Sequence, residues 1–194
     1  MIIPAIVLAA GASTRLGQPK QLVSYLGETL LVRAIRLARQ AGADPVLAVL
    51  GARHEAMLSG VQRAFGTPVI NPQWQQGIAS SIHAGLGMVD TDCPDCPGVL
   101  ILTCDQPKLS AAHLTALLGA FSAQAEPSIA ASAYKGTLGT PAVFPRCLFP
   151  QLLALQGDSG ARKLLNNQFC PIATVPLPGG EIDIDTPADL DSLR

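Results

Sequence analysis

Residues 6–20 read Ile-Val-Leu-Ala-Ala-Gly-Ala-Ser-Thr-Arg-Leu-Gly-Gln-Pro-Lys, and this stretch restricts the fold more than any other in the chain. A short apolar run gives way to small residues and then to two cations, Arg15 and Lys20, with no acid between them. That is how a buried strand hands over to a phosphate-holding loop. Small side chains let several backbone N–H groups converge on an anion, and the cations neutralise charge that the N–H dipoles leave over. Two other phosphate loops are excluded. A P-loop needs Lys directly after its second Gly, whereas Gly17 is followed by Gln18 and Pro19. A dinucleotide fingerprint needs Gly-x-Gly-x-x-Gly and an acid ending the next strand; Gly11 and Gly17 have another spacing, and the next candidate strand ends in Gly51-Ala52.

The rest of the chain supplies elements to fit that start. Thr29 is placed to cap a helix in which Leu30, Leu31, Ala34, Ile35, Leu37, Ala38 and Ala41 share one stripe, with Gly42 as the stop and Arg33, Arg36 and Arg39 as a solvated face. Pro45 to Leu50 is a continuous apolar run, the mark of a strand buried on both sides. A helix from about Arg53 to Phe65 leads to a strand over Thr67–Ile70. Such alternation predicts an α/β fold with right-handed crossovers and a mostly parallel sheet, and 194 residues suit one domain.

Several polar groups then fall outside strand ends, where open α/β sheets bind ligands. After Ile70 come Asn71, Trp74, Gly77, Ser80 and Ser81, placed to meet a base or ribose; the plainer alternative is that Asn71 makes a turn and a Ser caps the helix running to Val89. The apolar strand Val99–Asp105 ends in a carboxylate suited to Mg²⁺, while Ser110 is better placed than Asp105 to cap the next helix, which runs through Phe121. Ile129–Tyr134 and Thr140–Pro145 read as two strands joined by a turn over residues 135–139, an antiparallel element of the kind that walls a second-substrate pocket. Gly157-Asp158-Ser159-Gly160 matches the nucleophile region of trypsin-like proteases, but a helix follows and the frame is α/β, so an anion-binding turn is the better reading. Asp183 and Asp185 stand two apart in an extended segment and so on one side of it, with Ile182 and Ile184 packing inward, Thr186 capping a last helix and Pro187 at its first position. Paired carboxylates repel unless a cation answers them.

Thirteen basic against 14 acidic side chains leave a net charge of −1, with no electrostatic footprint for nucleic acid. Five scattered cysteines suggest reduced thiols, and Cys93-x-x-Cys96 reads as a surface loop because no second pair completes a zinc site. No apolar stretch is long enough to span a bilayer and no signal peptide is evident, so a cytoplasmic location is expected, away from membranes.

Leu8-Ala9-Ala10-Gly11-x-Ser13-x-Arg15-Leu16-Gly17-x-x-Lys20, Asn71-Pro-x-Trp74-x-x-Gly77-x-x-Ser80-Ser81, Asp105-Gln106-Pro107, Gly139-x-Pro141-x-x-Phe144, Gly157-Asp158-x-Gly160-Ala161-Arg162 and Asp183-Ile-Asp185-Thr-Pro-x-Asp189-Leu together resemble the MobA/MocA-like nucleotidyltransferases, related to the molybdenum-cofactor enzymes that attach CMP or GMP to molybdopterin. The likeness covers nearly the whole chain. It implies a three-layer, Rossmann-like nucleotide-diphospho-sugar transferase fold over a single domain, residues 1–194. By the same likeness Arg15, Lys20 and Asp105 are catalytic, and the nucleotide meets Leu8, Ala9, Ala10, Gly11, Ser13, Arg15, Lys20, Asn71, Gly77, Ser80 and Asp105. Asp105, Asp183 and Asp185 are the implied ligands of Mg²⁺, with Mn²⁺ as the alternative. Gly139, Pro141, Asp158, Gly160 and Arg162 face the acceptor, molybdopterin. Ala9-Ala10-Gly11 and Asp-Gln-Pro lean towards CTP over GTP, whereas Leu22-Val23-Ser24 departs from the usual Leu-Leu-Pro. A transient contact with a molybdoenzyme or its chaperone is also implied. Rivals are a sugar- or lactate-phosphate nucleotidyltransferase and, from another class, a non-catalytic accessory protein that binds nucleotide or cofactor.

Overall fold

A period-two alternation in the central strands divides the interior into two cores. In β1 (Ala5–Ala9) residues 5, 7 and 9 face one core while Ile6 and Leu8 face the other. The same alternation runs through β4 (Val46–Leu50) and β6 (Gly98–Thr103), so all three strands are sandwiched and their apolar runs are continuous. The computed structural model describes residues 2–166 and 169–191. The first core is covered by α1 (Leu30–Gln40), α2 (Glu55–Arg63) and α4 (Ala111–Ser122), the second by α3 (Ile78–Asp92), α5 (Phe149–Leu153) and α6 (Arg162–Leu165). This is a three-layer α/β/α arrangement.

With β5 (Thr67–Ile70), β7 (Ile129–Tyr134), β8 (Thr137–Pro145) and β9 (Ile172–Pro176), the sheet has seven strands in the order β5-β4-β1-β6-β8-β7-β9. Only β8 runs against its neighbours. A separate ribbon, β2 (Ser24–Tyr25) with β3 (Glu28–Thr29), follows the first loop, and α7 (Pro187–Asp191) comes last. The chain winds from β1 out to β5 and then crosses to β6, so the order reverses between β1 and β6. The crevice at that reversal, above the carboxyl ends of β1 and β6, is where an open sheet binds ligands.

Local capping follows expectation. Thr29 Oγ1 accepts from the Val32 N–H and Ser110 Oγ from the His113 N–H, each satisfying a helix-end donor. Other expectations need correction. The three arginines of α1 face solvent only in part and each has a partner: Arg33 donates to the Leu109 carbonyl at 2.6 Å, Arg36 pairs with Glu28, and the exposed Arg39 donates to the Phe65 carbonyl. Their forks tie the helix to neighbouring segments. The turn before β8 spans two residues rather than five. Lys135 and Gly136 both have positive φ, 46° and 70°, which closes a hairpin in two residues, so Gly139 lies within the strand. The edge strand β9 was not foreseen, its short run being hidden among prolines. Cys96 packs into the second core instead of standing on a surface loop. Among the described residues no helix is long and apolar enough to cross a membrane.

A polar chain threads the far half of the sheet: His113 Nε2 contacts Ser132 Oγ at 2.8 Å, and that hydroxyl donates to the Pro141 carbonyl at 2.6 Å. Burial pulls the His113 pKa below its usual value, so the ring is neutral in the fold. The unfolded imidazole takes up a proton from about pH 6.5 downwards, and the stability from a neutral buried ring is therefore full above that pH and lost as pH falls. The melting temperature of the wild type should fall more between pH 7 and 5 than that of His113→Gln. Parallel curves would remove His113 from the acid response.

Candidate functional site

The loop after β1 is shaped by a side chain that the sequence does not advertise. Gln21 is 0% exposed, and both hydrogens of its amide are taken, by the carbonyls of Ala9 and Gly11 at 2.8 Å each. Holding those carbonyls leaves the small-residue loop free to present N–H groups on its other side. Ser13, at φ 55°, accepts the Lys20 N–H on its hydroxyl at 3.1 Å and so closes the loop on itself. A Cβ on Gly11 would meet nothing within 4 Å, so the open space beside it belongs to the cavity and not to packing.

That cavity, of about 380 Å³, sits in the crevice at the strand-order reversal. Leu8, Ala9, Ala10, Gly11 and Lys20 form one side, and Asp105 lies just beyond β6. Trp74, Gln75, Gly77 and Asp158 complete it; Trp74 and Gly77 stand on the ligand side as the sequence suggests, and Gln75 is an addition. Trp74 is seated by Gly51, where a Cβ would come within 2.5 Å of the Trp74 Cβ. Gly77, at φ 100°, could not carry a side chain, because a Cβ there would strike the Gly157 carbonyl. The Ala79 N–H donates to that same carbonyl at 3.1 Å.

Asn71 and Ser80 lie elsewhere than expected. The Asn71 amide donates to the hydroxyls of Ser80 and Ser81, and its Oδ1 accepts from the Gln73 N–H, so its polar atoms are committed within the protein. Together with Ser80 it lines a separate cavity of about 470 Å³. Neither Ser caps α3: Ser80 stands in its first turn and returns its hydroxyl to the Gly77 carbonyl.

The charged groups meet at the mouth. Lys20 Nζ bonds Asp105 Oδ2 and, at 2.9 Å, Asp185 Oδ1; Arg15 bonds Asp185 Oδ2 at 2.8 Å. Burial works against the Lys20 ammonium, but Asp105 and Asp185 outweigh it and hold its pKa above the usual lysine range. The same contacts with Lys20 and Arg15 overcome partial burial at Asp185 and hold its carboxyl low. Asp183 is open to solvent on one side, yet burial on the other and the charge of Asp105 push its carboxyl up to about 7. Asp183 and Asp185 are therefore not equivalent. Asp105 Oδ1 is buried without a hydrogen-bond partner. Among the described residues no three His, Cys, Asp or Glu side chains converge closely enough to hold an ion between them, and Lys20 spans two of the acids. The segment carrying these acids is anchored as expected by Ile184, fully buried, whose N–H donates to the Asp105 carbonyl at 3.0 Å. Thr186 directly precedes α7 and Pro187 is its first residue; Asp189 Oδ2 ties this helix start by accepting the Asp185 and Thr186 N–H groups and the Thr186 hydroxyl.

On the acceptor side the residues separate. Asp158 lines the cavity, and a Cβ added to Gly160 would lie 3.7 Å from the Ile78 side chain. Arg162 donates to Thr137 Oγ1 at 2.6 Å. Gly139 and Pro141 are buried within β8, the first against the Tyr134 ring and the second with its carbonyl held by Ser132. Neither they nor Arg162 line the cavity.

Comparison with known proteins adds the following. A protein-family model described as MobA-like NTP transferase domain matches residues 5–172. The purine catabolism protein PucB of Bacillus subtilis is 32% identical over 97% of this chain and 94% of its own length. The nicotine blue oxidoreductase of Paenarthrobacter nicotinovorans is 32% identical over 86% of this chain and 82% of its own. A probable molybdenum cofactor guanylyltransferase of Nostoc is 29% identical over 97% and 88%. Among solved structures, Rv0371c from Mycobacterium tuberculosis superposes with a TM-score of 0.85 at 31% identity, covering 100% of this chain and 97% of that one, and its complex with manganese does so with a TM-score of 0.82. The sheet is that of the nucleotide-diphospho-sugar transferase fold.

Proposed function

Since the chain belongs to the MobA-like NTP transferases, we propose that it is a single nucleotidyltransferase domain, residues 1–194, which joins CMP from CTP to a molybdopterin acceptor and releases pyrophosphate. The observation that carries this reading is the cavity that the loop Ala9–Gly11, Lys20 and Asp105 line together. The triphosphate lies along the loop after β1, its charge answered by N–H groups, Arg15 and Lys20. The acceptor enters past Asp158, Arg162 and Tyr134, and its phosphate oxygen attacks the α-phosphorus in line with the departing pyrophosphate. A phosphate monoester is already a nucleophile at neutral pH, so positioning and charge neutralisation carry the step without a general base.

Asp105 with Asp183 or Asp185 would hold a divalent ion, Mg²⁺ on this reading. Carboxylate oxygens are the donors a hard ion takes, and the buried, unpartnered Asp105 Oδ1 offers one. When bound, such an ion supplies neutralisation and polarisation of the reacting phosphate. CTP is preferred to GTP on the Ala9-Ala10-Gly11 and Asp105-Gln106-Pro107 motifs. The name of one relative, nicotine blue oxidoreductase, sets a redox reading beside this one.

Thermal stabilisation by CTP, GTP, ATP and UTP with Mg²⁺, and by NADH and NADPH, separates these. A ligand at a hundred times its Kd adds about 2.7 kcal/mol, which raises the melting point of a chain this size by several degrees. CTP should do so most. A GTP preference would make the acceptor reaction a guanylyl transfer, and stabilisation by the dinucleotides alone would overturn the transferase reading.

A further inference from the structure

The cations that should neutralise the triphosphate and the acids that should hold the metal are bonded to one another. Lys20 Nζ lies between Asp105 Oδ2 and Asp185 Oδ1, and Arg15 takes the other Asp185 oxygen. We propose that Lys20 is a place-holding counter-ion which a divalent cation must displace, so that the site takes metal and nucleoside triphosphate as one complex and not in turn. This rests on the nucleotidyl-transfer reading and adds the form in which that substrate binds.

The argument is one of pairing. An ammonium bridging two carboxylates stands where a metal bridging them would stand, and two cations held a few ångströms apart in a partly buried site repel strongly. A metal arriving alone must expel Lys20 from its acids, leaving the ammonium without a counter-charge in a pocket where its side chain is only 20% exposed. A triphosphate arriving alone must draw Lys20 and Arg15 away, leaving Asp105 and Asp185 unanswered. When both arrive together every broken ion pair is replaced, acids to metal and cations to phosphate. The two ligands are therefore coupled, each strengthening the other by the same factor.

Removing the place-holder should raise metal affinity in the absence of nucleotide, with no turnover needed to see it. Mn²⁺ titrated by electron paramagnetic resonance into the full chain should bind Lys20→Met at least tenfold more tightly than wild type, about 1.4 kcal/mol. Lys20→Arg, which keeps a bridging cation, should stay near wild type. Arg162→Gln controls for loss of any nearby positive charge, since Arg162 bonds Thr137 and none of the three acids; its Mn²⁺ affinity should change less than twofold. In the opposite direction, Asp185→Asn loosens the hold on Lys20 and Arg15, so CTP in EDTA should bind that variant several-fold more tightly than wild type. This arm stands even if Lys20→Met fails to fold. Mn²⁺ affinity in folded Lys20→Met within twofold of wild type, an equal gain in Arg162→Gln, or CTP binding to Asp185→Asn no tighter than to wild type would each overturn the exchange while leaving nucleotidyl transfer in place. Absence of any NTP binding by wild type with Mg²⁺ would overturn both.

Discussion

Asp105→Asn should lose about 10³-fold in pyrophosphate release while melting within a few degrees of the wild type. On the proposed mechanism the size follows from removing one charged oxygen donor from a transition state stabilised by charge neutralisation, a loss of roughly 4 kcal/mol. The fold should survive because Asn is isosteric and its oxygen still accepts from Lys20, while the neighbouring Ile184 N–H is held by the backbone carbonyl of residue 105 and not by its side chain. A coupled pyrophosphate assay beside a thermal melt checks both halves. Turnover within tenfold of the wild type would remove Asp105 from the metal and leave Asp183 and Asp185 to account for it.

Substitutions of Gln21 should cost the site more stability than Asp105→Asn does, and Gln21→Leu is the milder of two. Leucine fills the same buried volume but donates nothing, so the carbonyls of Ala9 and Gly11 lose a donor inside the protein. An unsatisfied buried acceptor costs about 1–3 kcal/mol, and two together should lower the melting point by roughly 5–10 °C. Gln21→Glu should be worse, because a carboxylate would face two carbonyl oxygens at a position with no exposure. At a temperature where the Leu variant is still folded, its affinity for CTP with Mg²⁺ should be about 10- to 100-fold weaker, since released carbonyls are free to turn towards the phosphates. Full stability with unaltered affinity would show that the loop holds its shape without Gln21.

Much of this was legible because its physics is local. The run into small residues at Ala9–Gly11, the caps at Thr29 and Ser110, and the apolar runs of β1, β4 and β6 all depend on neighbours a few positions away. Gln21 was not legible for the opposite reason. Its partners are carbonyls 12 and 10 positions earlier, and a carbonyl has no residue identity to read. The arginines of α1 show the same limit: helical periodicity gives the direction each leaves the axis, but not that Leu109 and Phe65 wait at the far end. Lys20, Asp105 and Asp185 were each picked out by residue type and position. Their bonding across 85 and 165 positions, and hence the difference between Asp183 and Asp185, required the fold.

The meeting of Gly77 with Gly157 has a mechanical consequence. Backbone packs directly on backbone there and is stitched by the Ala79 N–H, so the start of α3 and the loop leading to α6 travel as one jamb. The β7–β8 hairpin is tied to the same side, because Arg162 in α6 donates to Thr137 Oγ1 at the start of β8. Probes at Gly157 and on that hairpin should therefore report the arrival of a bulky ligand together.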